Sequence, residues 1–129
     1  MLVVDASVLA PAIVDAGTDG TTLRARLRGE TLAGPDLLRI QVLAVIRKGL
    51  IAGTLTTKQA DAGVDDLLDL PLSVFPSAPL LRRAWALRAN ATAYDACYLA
   101  LAEALDCALL TADIRLAHAP GATCTVELA

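Results

Sequence analysis

The chain has 129 residues, of which 56% are hydrophobic, 19% are charged and only 3% are aromatic, with a net charge of −3. This length fits a single domain over residues 1–129 with an aliphatic core, and the composition excludes a disordered chain. The acidic balance does not indicate nucleic-acid binding through overall charge. No uncharged apolar run approaches the roughly 18–20 residues that span a bilayer, which predicts a protein outside the membrane.

The cysteines, the single histidine and the N-terminus exclude several classes of protein. Cys97, Cys107 and Cys124 are odd in number and lack CxxC spacing, so they predict neither a disulfide framework nor a zinc site and fit a reducing cytoplasm. A Ser-His-Asp triad would have to use His118, the only histidine. Because Asp5 interrupts the first apolar run and no basic leader precedes it, the N-terminus is not built like a secretory signal.

Short aliphatic runs alternate along the chain with longer segments of helical periodicity. The runs predict strands at residues 2–4, about 31–34, 72–75, 107–111 and 124–128. The periodic segments predict helices at about 6–14, 20–28, 36–50, 57–69, 78–89, 92–105 and 114–118. Strands too short to alternate, joined by helices, indicate an α/β fold: a three-layer α/β/α sandwich around a central, mainly parallel five-stranded sheet.

Two aspartates directly follow predicted strands, and a third begins a predicted helix. Asp5 follows the first strand and Asp113 the fourth, and residues just beyond the carboxyl ends of parallel strands line the ligand crevice. Asp95 would lie in the first turn of the helix at 92–105. Each acid could instead cap a helix, and Thr92 with Asp95 resembles a capping box.

The segment LLRIQVLAVIRKGL, residues 37–50, reads as a buried helix with one amide, Gln41. Helical spacing places this amide on one face with Leu37, Ala44, Val45 and Lys48. By itself Gln41 is most simply a hydrogen-bonded core residue, since a carboxylate there would need a partner or a metal ion. Together with the three acids it indicates an oxygen-ligand site for Mg²⁺, with Mn²⁺ as a substitute, where the ion activates water at a phosphodiester.

Three segments of the chain, in this order, resemble the PIN domain, specifically the VapC toxins of toxin–antitoxin pairs. They are LVVDASVL at the start, PDLLRIQVLAVIRKG on the second major helix and TAYDACYLALAEALDCALLTADIRLA near the end. The resemblance covers almost the full chain. It implies a PIN-like fold, a Mg²⁺-dependent endoribonuclease, a VapB antitoxin that neutralises it, and a homodimer.

The resemblance also implies roles for individual residues. Asp5, Asp95 and Asp113 match three acids of the family's metal site, and the fourth family acid is a Glu where this chain has Gln41. Since Gln keeps the shape of Glu but removes one charge, this departure implies an attenuated or inactive enzyme. Small hydroxyl residues near the family site are matched by Ser7 and Thr111, which would support the acids.

The expected partners are RNA and an antitoxin. Basic residues near the site are candidates for contacts with RNA phosphates, namely Arg39, Arg47, Lys48 and Arg115. The family resemblance implies that the antitoxin lays an apolar helix into a groove and directs an arginine at the acids.

Other functions stay open at this stage. A catalytically inactive PIN-fold module that sequesters antitoxin or RNA is compatible with Gln41. A phosphoaspartate phosphatase also places Asp after its first strand, but it typically has a second Asp two residues later, where this chain has Ser7. A response-regulator receiver would need an acidic pair before its phosphorylated Asp, and no such pair precedes Asp5.

Overall fold

The computed structural model describes all residues, 1–129, as five strands and seven helices. The strands are β1 (Leu2–Val4), β2 (Leu32–Pro35), β3 (Leu72–Phe75), β4 (Leu109–Thr111) and β5 (Val126–Leu128). The helices are α1 (Ala6–Val14), α2 (Thr18–Leu27), α3 (Leu38–Ala52), α4 (Thr57–Asp69), α5 (Leu81–Ala86), α6 (Ala93–Ala104) and α7 (Ile114–Ala117). A 3₁₀ turn over Ala78–Leu80 leads directly into α5.

The five strands form one wholly parallel sheet in the order β3-β2-β1-β4-β5. Right-handed crossovers between parallel strands place helices on both faces of such a sheet, which confirms the predicted three-layer α/β sandwich. The strand order reverses between β1 and β4, because β2 and β3 are added on one side of β1 and β4 and β5 on the other. The carboxyl ends of β1 and β4 therefore flank the point where parallel sheets form their ligand crevice.

Helix α6 is the most deeply buried helix of the fold. Its residues 96–102 are all buried, and it packs on β1, β2 and β4. An amphipathic helix would bury only one stripe, so this continuous burial identifies α6 as a central helix covered on several sides. Its first turn reaches the carboxyl edge of the sheet, where Asp95 lies.

Several predicted boundaries differ from the observed ones: α2 begins at Thr18 rather than at residue 20, and α3 spans Leu38–Ala52 rather than 36–50. The strand predicted from residue 107 begins at Leu109, because the amide of Cys107 donates to the carbonyl of Ala102 and still belongs to the end of α6. The strand predicted from residue 124 begins at Val126. The helix predicted at 78–89 divides into the 3₁₀ turn and the short α5, which ends where the amide of Leu87 bonds to carbonyls one turn back.

Helix α3 buries a different face from the one predicted. Its buried side chains are Leu38, Val42 and Ile46, at helical spacing of four, whereas Ala44 and Val45 are exposed. The interpretation of Gln41 as part of a core-facing stripe with those two residues is therefore wrong, and its side chain is only partly buried. None of the helices in the structure combines the length and apolar character needed to cross a membrane.

The end of α1 is held closely against α2. The Arg24 guanidinium donates hydrogen bonds to the carbonyls of Ala12, at 3.1 Å, and Asp15, at 2.7 Å, which satisfies carbonyls left free at the helix end. Gly20 is buried beside them, and a Cβ at this position would lie 2.0 Å from the Asp15 carbonyl oxygen. The close approach of the two helices thus requires glycine here.

Gly20→Ala is expected to destabilise the protein by about 1–3 kcal/mol, the usual cost of overpacking, although alanine favours helices. The added methyl group would push the backbone of Asp15 away from α2. Urea denaturation of Gly20→Ala and of Thr22→Ala, on the exposed side of the same helix, checks this expectation. A Gly20→Ala protein as stable as the unsubstituted chain would contradict the close contact.

Candidate functional site

Asp5 lies directly after β1 and is buried, with 7% of its surface exposed. It occupies the N-cap position of α1, but its side chain makes no capping hydrogen bond. Its Oδ1 instead accepts from the Ser7 hydroxyl and its Oδ2 from the Thr111 hydroxyl, both at 2.5 Å. The alternative in which Asp5 serves simply as a helix cap therefore does not describe its side chain.

The two hydroxyls connect the end of β1 to the end of β4. Ser7 Oγ lies 3.3 Å from Thr111 Oγ1 and accepts from the amide of Ala112 at 2.9 Å. The fully buried Thr111 hydroxyl also accepts from the amide of Asp113 at 3.1 Å. Through these bonds the chain that carries Asp113 is held at a fixed position relative to Asp5.

Burial opposes the negative charge of Asp5. Removal from water raises the pKa of this carboxyl, and the hydrogen bonds from Ser7 and Thr111 lower it only in part. A buried carboxylate without a nearby cation costs folding free energy. Acids with pKa values raised in this way are common at sites that bind a ligand or an ion.

Asp95 lies in the first turn of α6, where the Thr92 hydroxyl caps the helix by accepting from the Asp95 amide at 3.1 Å. The predicted capping arrangement thus exists on the Thr92 side. Burial raises the pKa of the Asp95 carboxyl, the Thr92 hydroxyl opposes the rise, and the charges of Asp113 and Asp5 add to it. The charges of the other two predicted acids therefore act on Asp95.

Asp113 follows β4 and caps the short α7, since its Oδ1 accepts from the amide of Arg115 at 2.9 Å. Asp113 and Asp95 line one cleft of about 160 Å³, together with Asn90, Thr92 and Arg115. Asp5 and Gln41 are not among the residues that line this cleft. Capping and a role in the cleft are compatible for Asp113, because only one of its oxygens bonds to the helix.

Gln41 contacts a residue that the sequence analysis missed. The Tyr98 hydroxyl donates to Gln41 Oε1 at 2.6 Å, across a sequence separation of 57 residues. Burial raises the pKa of Tyr98, and the charges of Asp5 and Asp95 raise it further, so the phenol stays protonated and remains a donor. A signal was present in the sequence, because Tyr98 is three residues from Asp95 and so shares its side of α6.

The oxygen donors at this edge suit a hard cation. Carboxylate oxygens are the ligands that Mg²⁺ prefers. Each Asp5 oxygen accepts only one hydroxyl hydrogen bond, so each oxygen keeps a further lone pair that could bind an ion. No group of three or more His, Cys, Asp and Glu side chains converges closely enough to hold an ion alone. Mg²⁺ usually keeps several waters and takes only one or two carboxylates, so the donors at this edge suit such an ion only if water completes its ligands.

The four predicted basic residues are distributed unevenly around the acids. Arg115 lies at the cleft, is 94% exposed at its side chain, and has Nε 3.8 Å from Asp113 Oδ1. Arg39, Arg47 and Lys48 lie on α3 and form no salt bridge. Of the four, the structure brings only Arg115 to the lining of the acidic cleft.

Comparisons with known proteins agree with this arrangement. Residues 2–122 match the family model described as PIN domain. The chain is 39% identical over 127 residues to ribonuclease VapC1 of Mycobacterium tuberculosis, covering 98% of this chain and 96% of that protein.

Two solved structures have a similar fold. One is Mycobacterium tuberculosis VapC20, described as a sarcin-ricin loop cleaving toxin, with a TM-score of 0.70, 13% identity and coverage of 91% of this chain and 93% of that one. The other is VapBC2 from Rickettsia felis bound to a promoter DNA fragment, with a TM-score of 0.63, 18% identity and coverage of 98% and 97%.

Thr111→Val is expected to lower the free energy of unfolding by about 1.5–3 kcal/mol, because it removes a hydrogen bond to a buried carboxylate. Thr111→Ser is the matched control: it keeps the hydroxyl and loses one methyl group, at a cost of about 1 kcal/mol. Urea denaturation of both variants at pH 7 measures the difference. Equal losses in the two variants would show that the hydroxyl bond to Asp5 contributes nothing.

Asp95→Asn is expected to raise the melting temperature at pH 7 by a few degrees in EDTA. The pKa of Asp95 is raised on folding, so the protonated form favours the folded state below the unfolded value of 3.8, and this advantage is lost as pH rises through the folded pKa. The gain from Asn should therefore disappear as pH falls toward 4. Melting curves across this range test it, with the exposed Asp65→Asn of α4 as control; a gain independent of pH would argue against burial and repulsion as its cause.

Proposed function

This chain belongs to the PIN-domain family, with VapC ribonucleases among its relatives, and we propose that it is the toxin of a VapBC-type toxin–antitoxin pair and cleaves RNA phosphodiester bonds. The observation that carries the proposal is the position of Asp5. Its carboxylate is buried where the strand order reverses, is held by two hydroxyls rather than capping its helix, and lies close enough to Asp95 to raise the pKa of that residue. The RNA substrate implies action in the cytoplasm.

Asp5, Asp95 and Asp113 would hold Mg²⁺, for which Mn²⁺ could substitute. When bound, such an ion would supply an activated water and compensate negative charge on the phosphodiester. Ser7 and Thr111 fix the carboxylate of Asp5 in one orientation, and the Thr111 bond to the Asp113 amide fixes the distance between the two strand ends. The charges of Asp5 and Asp113 raise the pKa of Asp95, and a bound cation would relieve this repulsion.

The residue at position 41 decides how active this form is. In the family pattern the position is a Glu, which could orient or deprotonate the attacking water. Here the Tyr98 hydroxyl already donates to Gln41 Oε1, so the remaining polar group of the amide is an NH₂ that can only donate. A Glu would keep one oxygen bonded to Tyr98 and offer a second, charged acceptor. We therefore propose that Gln41 attenuates cleavage.

A second function follows from the same contact. An NH₂ donor cannot accept a proton from water, but it can bind a phosphate oxygen. A chain with Gln41 could therefore bind RNA or antitoxin without cutting. We keep this inactive PIN-fold binding module as the alternative that the Gln41 amide specifically favours.

The surface supports the proposed partners. Helix α3 exposes several large apolar side chains, Ile40, Leu43, Val45, Leu50 and Ile51. An apolar face of this kind suits an amphipathic helix of a VapB-type antitoxin or a second copy in a homodimer, and we propose both as partners. Arg115 at the acidic cleft is the best placed contact for an RNA phosphate, with Arg39, Arg47 and Lys48 as further candidates.

Gln41→Glu is expected to raise Mg²⁺-dependent cleavage of a total RNA pool by at least about 10-fold, because it restores a group able to take a proton from water. Adding Asp5→Ala to this variant should abolish the gain, and EDTA should abolish it in the single variant. The matched control is Gln59→Glu, an exposed amide on α4, which should leave cleavage unchanged. Cleavage that survives both Asp5→Ala and EDTA would refute the proposed site, and equal activity of the unsubstituted chain and the Gln41→Glu variant would refute attenuation.

A further inference from the structure

A large apolar groove lies next to the acidic cleft, between α5 and the start of α6. It has a volume of about 720 Å³, and its walls include Leu37, Leu81, Ala84, Trp85, Arg88 and Tyr94. This volume falls within the range of small-molecule sites, so a planar group of nucleobase size can enter it.

Two of the four aromatic residues of the chain line this groove. The chain has one Trp, two Tyr and one Phe. Trp85 is 67% exposed and Tyr94 is 63% exposed, whereas the other tyrosine, Tyr98, is buried in the core. Large aromatic surfaces left in water in a chain with so few aromatics indicate a binding role rather than packing.

The groove and the acidic cleft adjoin. Ala91 and Thr92 line both, and Tyr94 directly precedes Asp95 in the first turn of α6. A polymer bound at the acids would therefore have the groove beside it.

The groove also carries a positive charge without an acidic partner. The guanidinium carbon of Arg88 lies 4.7 Å from the centroid of the Trp85 ring, a cation–π distance. Arg88 donates to the Trp85 carbonyl at 3.0 Å and forms no salt bridge with any carboxylate. Its charge is thus available to a phosphate beside the aromatic ring.

We propose that the Trp85–Tyr94 groove is a nucleobase-binding subsite that stacks a base of single-stranded RNA next to the acidic cleft. This inference rests on the proposed function in that RNA is taken as the polymer at the cleft. Exposed aromatic rings beside a free cation are the means by which proteins bind single-stranded nucleic acid, and stacking tolerates any base because every base has a π-face. The groove would therefore add affinity without strict sequence choice.

The single tryptophan makes the test direct, because all indole fluorescence comes from Trp85. The chain is titrated in EDTA with a single-stranded oligoribonucleotide of about 12 nucleotides, within the usual site size, and with an abasic oligomer of equal length. Quenching by the intact oligomer with a clearly weaker apparent affinity for the abasic one supports the inference. Equal affinity for both means contact with phosphates alone and overturns it.

Substitutions localise the effect. Tyr94→Ala should weaken binding of the intact oligomer by about 5- to 140-fold, the range for loss of one stacked base, while Tyr94→Phe should retain it. Leu68→Ala, exposed on α4, is the matched control and should change nothing. Binding seen by anisotropy without a change in Trp85 fluorescence would place the bases elsewhere. An emission shift that depends on protein concentration, together with loss of oligomer binding, would assign the groove to a second copy of the chain. Each of these two results overturns the inference.

Failure of this inference can be separated from failure of the proposed function. RNA cleavage by Gln41→Glu without base-dependent quenching overturns the subsite and leaves the ribonuclease proposal intact. Base-dependent quenching that Tyr94→Ala abolishes, with no cleavage by Gln41→Glu under any metal condition, supports the subsite as a binding site and overturns the ribonuclease.

Discussion

The candidate site depends on a carboxylate buried at the point where the strand order of the sheet reverses. Asp5 is kept in this position by two hydroxyl donors, one from its own helix and one from β4, and the parallel pairing of β1 with β4 brings the second donor within reach. Without that pairing the buried carboxylate would keep only the Ser7 hydroxyl as a side-chain donor, and a buried charge with few hydrogen bonds is costly. The position of Asp5 therefore depends on the sheet topology. Asp95, in α6, and Asp113, which follows β4, lie near the same edge of the sheet.

Much of the fold follows from local sequence signals. The strands at 2–4 and 72–75 and the helices at 6–14 and 57–69 have the predicted bounds, because short aliphatic runs and marked periodicity are read without tertiary information. Predicted and observed boundaries differ at helix ends, where local backbone hydrogen bonds decide them. The apolar side chain of Cys107 continues a hydrophobic run, but its amide donates to a carbonyl of α6. The segment after Ala86 turns because its amides donate to carbonyls of α5. Hydrophobic pattern alone does not contain these bonds.

Some features of the site also follow from the sequence, and others do not. The positions of Asp5 and Asp113 follow from topology, since residues after parallel strands converge at one edge, and the hydroxyls of Ser7 and Thr111 lie beside them as predicted. The contact between Gln41 and Tyr98 could not be found in this way, because it joins α3 to α6 and requires the angle between two helices. The predicted core face of α3 is wrong for a related reason: spacing gives which residues share a face but not which face meets the core.

The Gln41–Tyr98 contact shows how the fold would accommodate either an amide or a carboxylate at position 41. Tyr98 lies within the field of Asp5 and Asp95, and those charges together with burial raise the pKa of its phenol and keep it protonated. A Glu at position 41 would add a further negative charge to this group, and the Tyr98 hydroxyl would be its natural donor, so the phenol would lower the cost of a fourth carboxylate. With Gln, the same hydroxyl binds a neutral oxygen and the repulsion among the acids is smaller. A neutral amide at position 41 therefore costs the fold less than a fourth carboxylate would, and the Tyr98 hydroxyl stays in place to donate to either side chain.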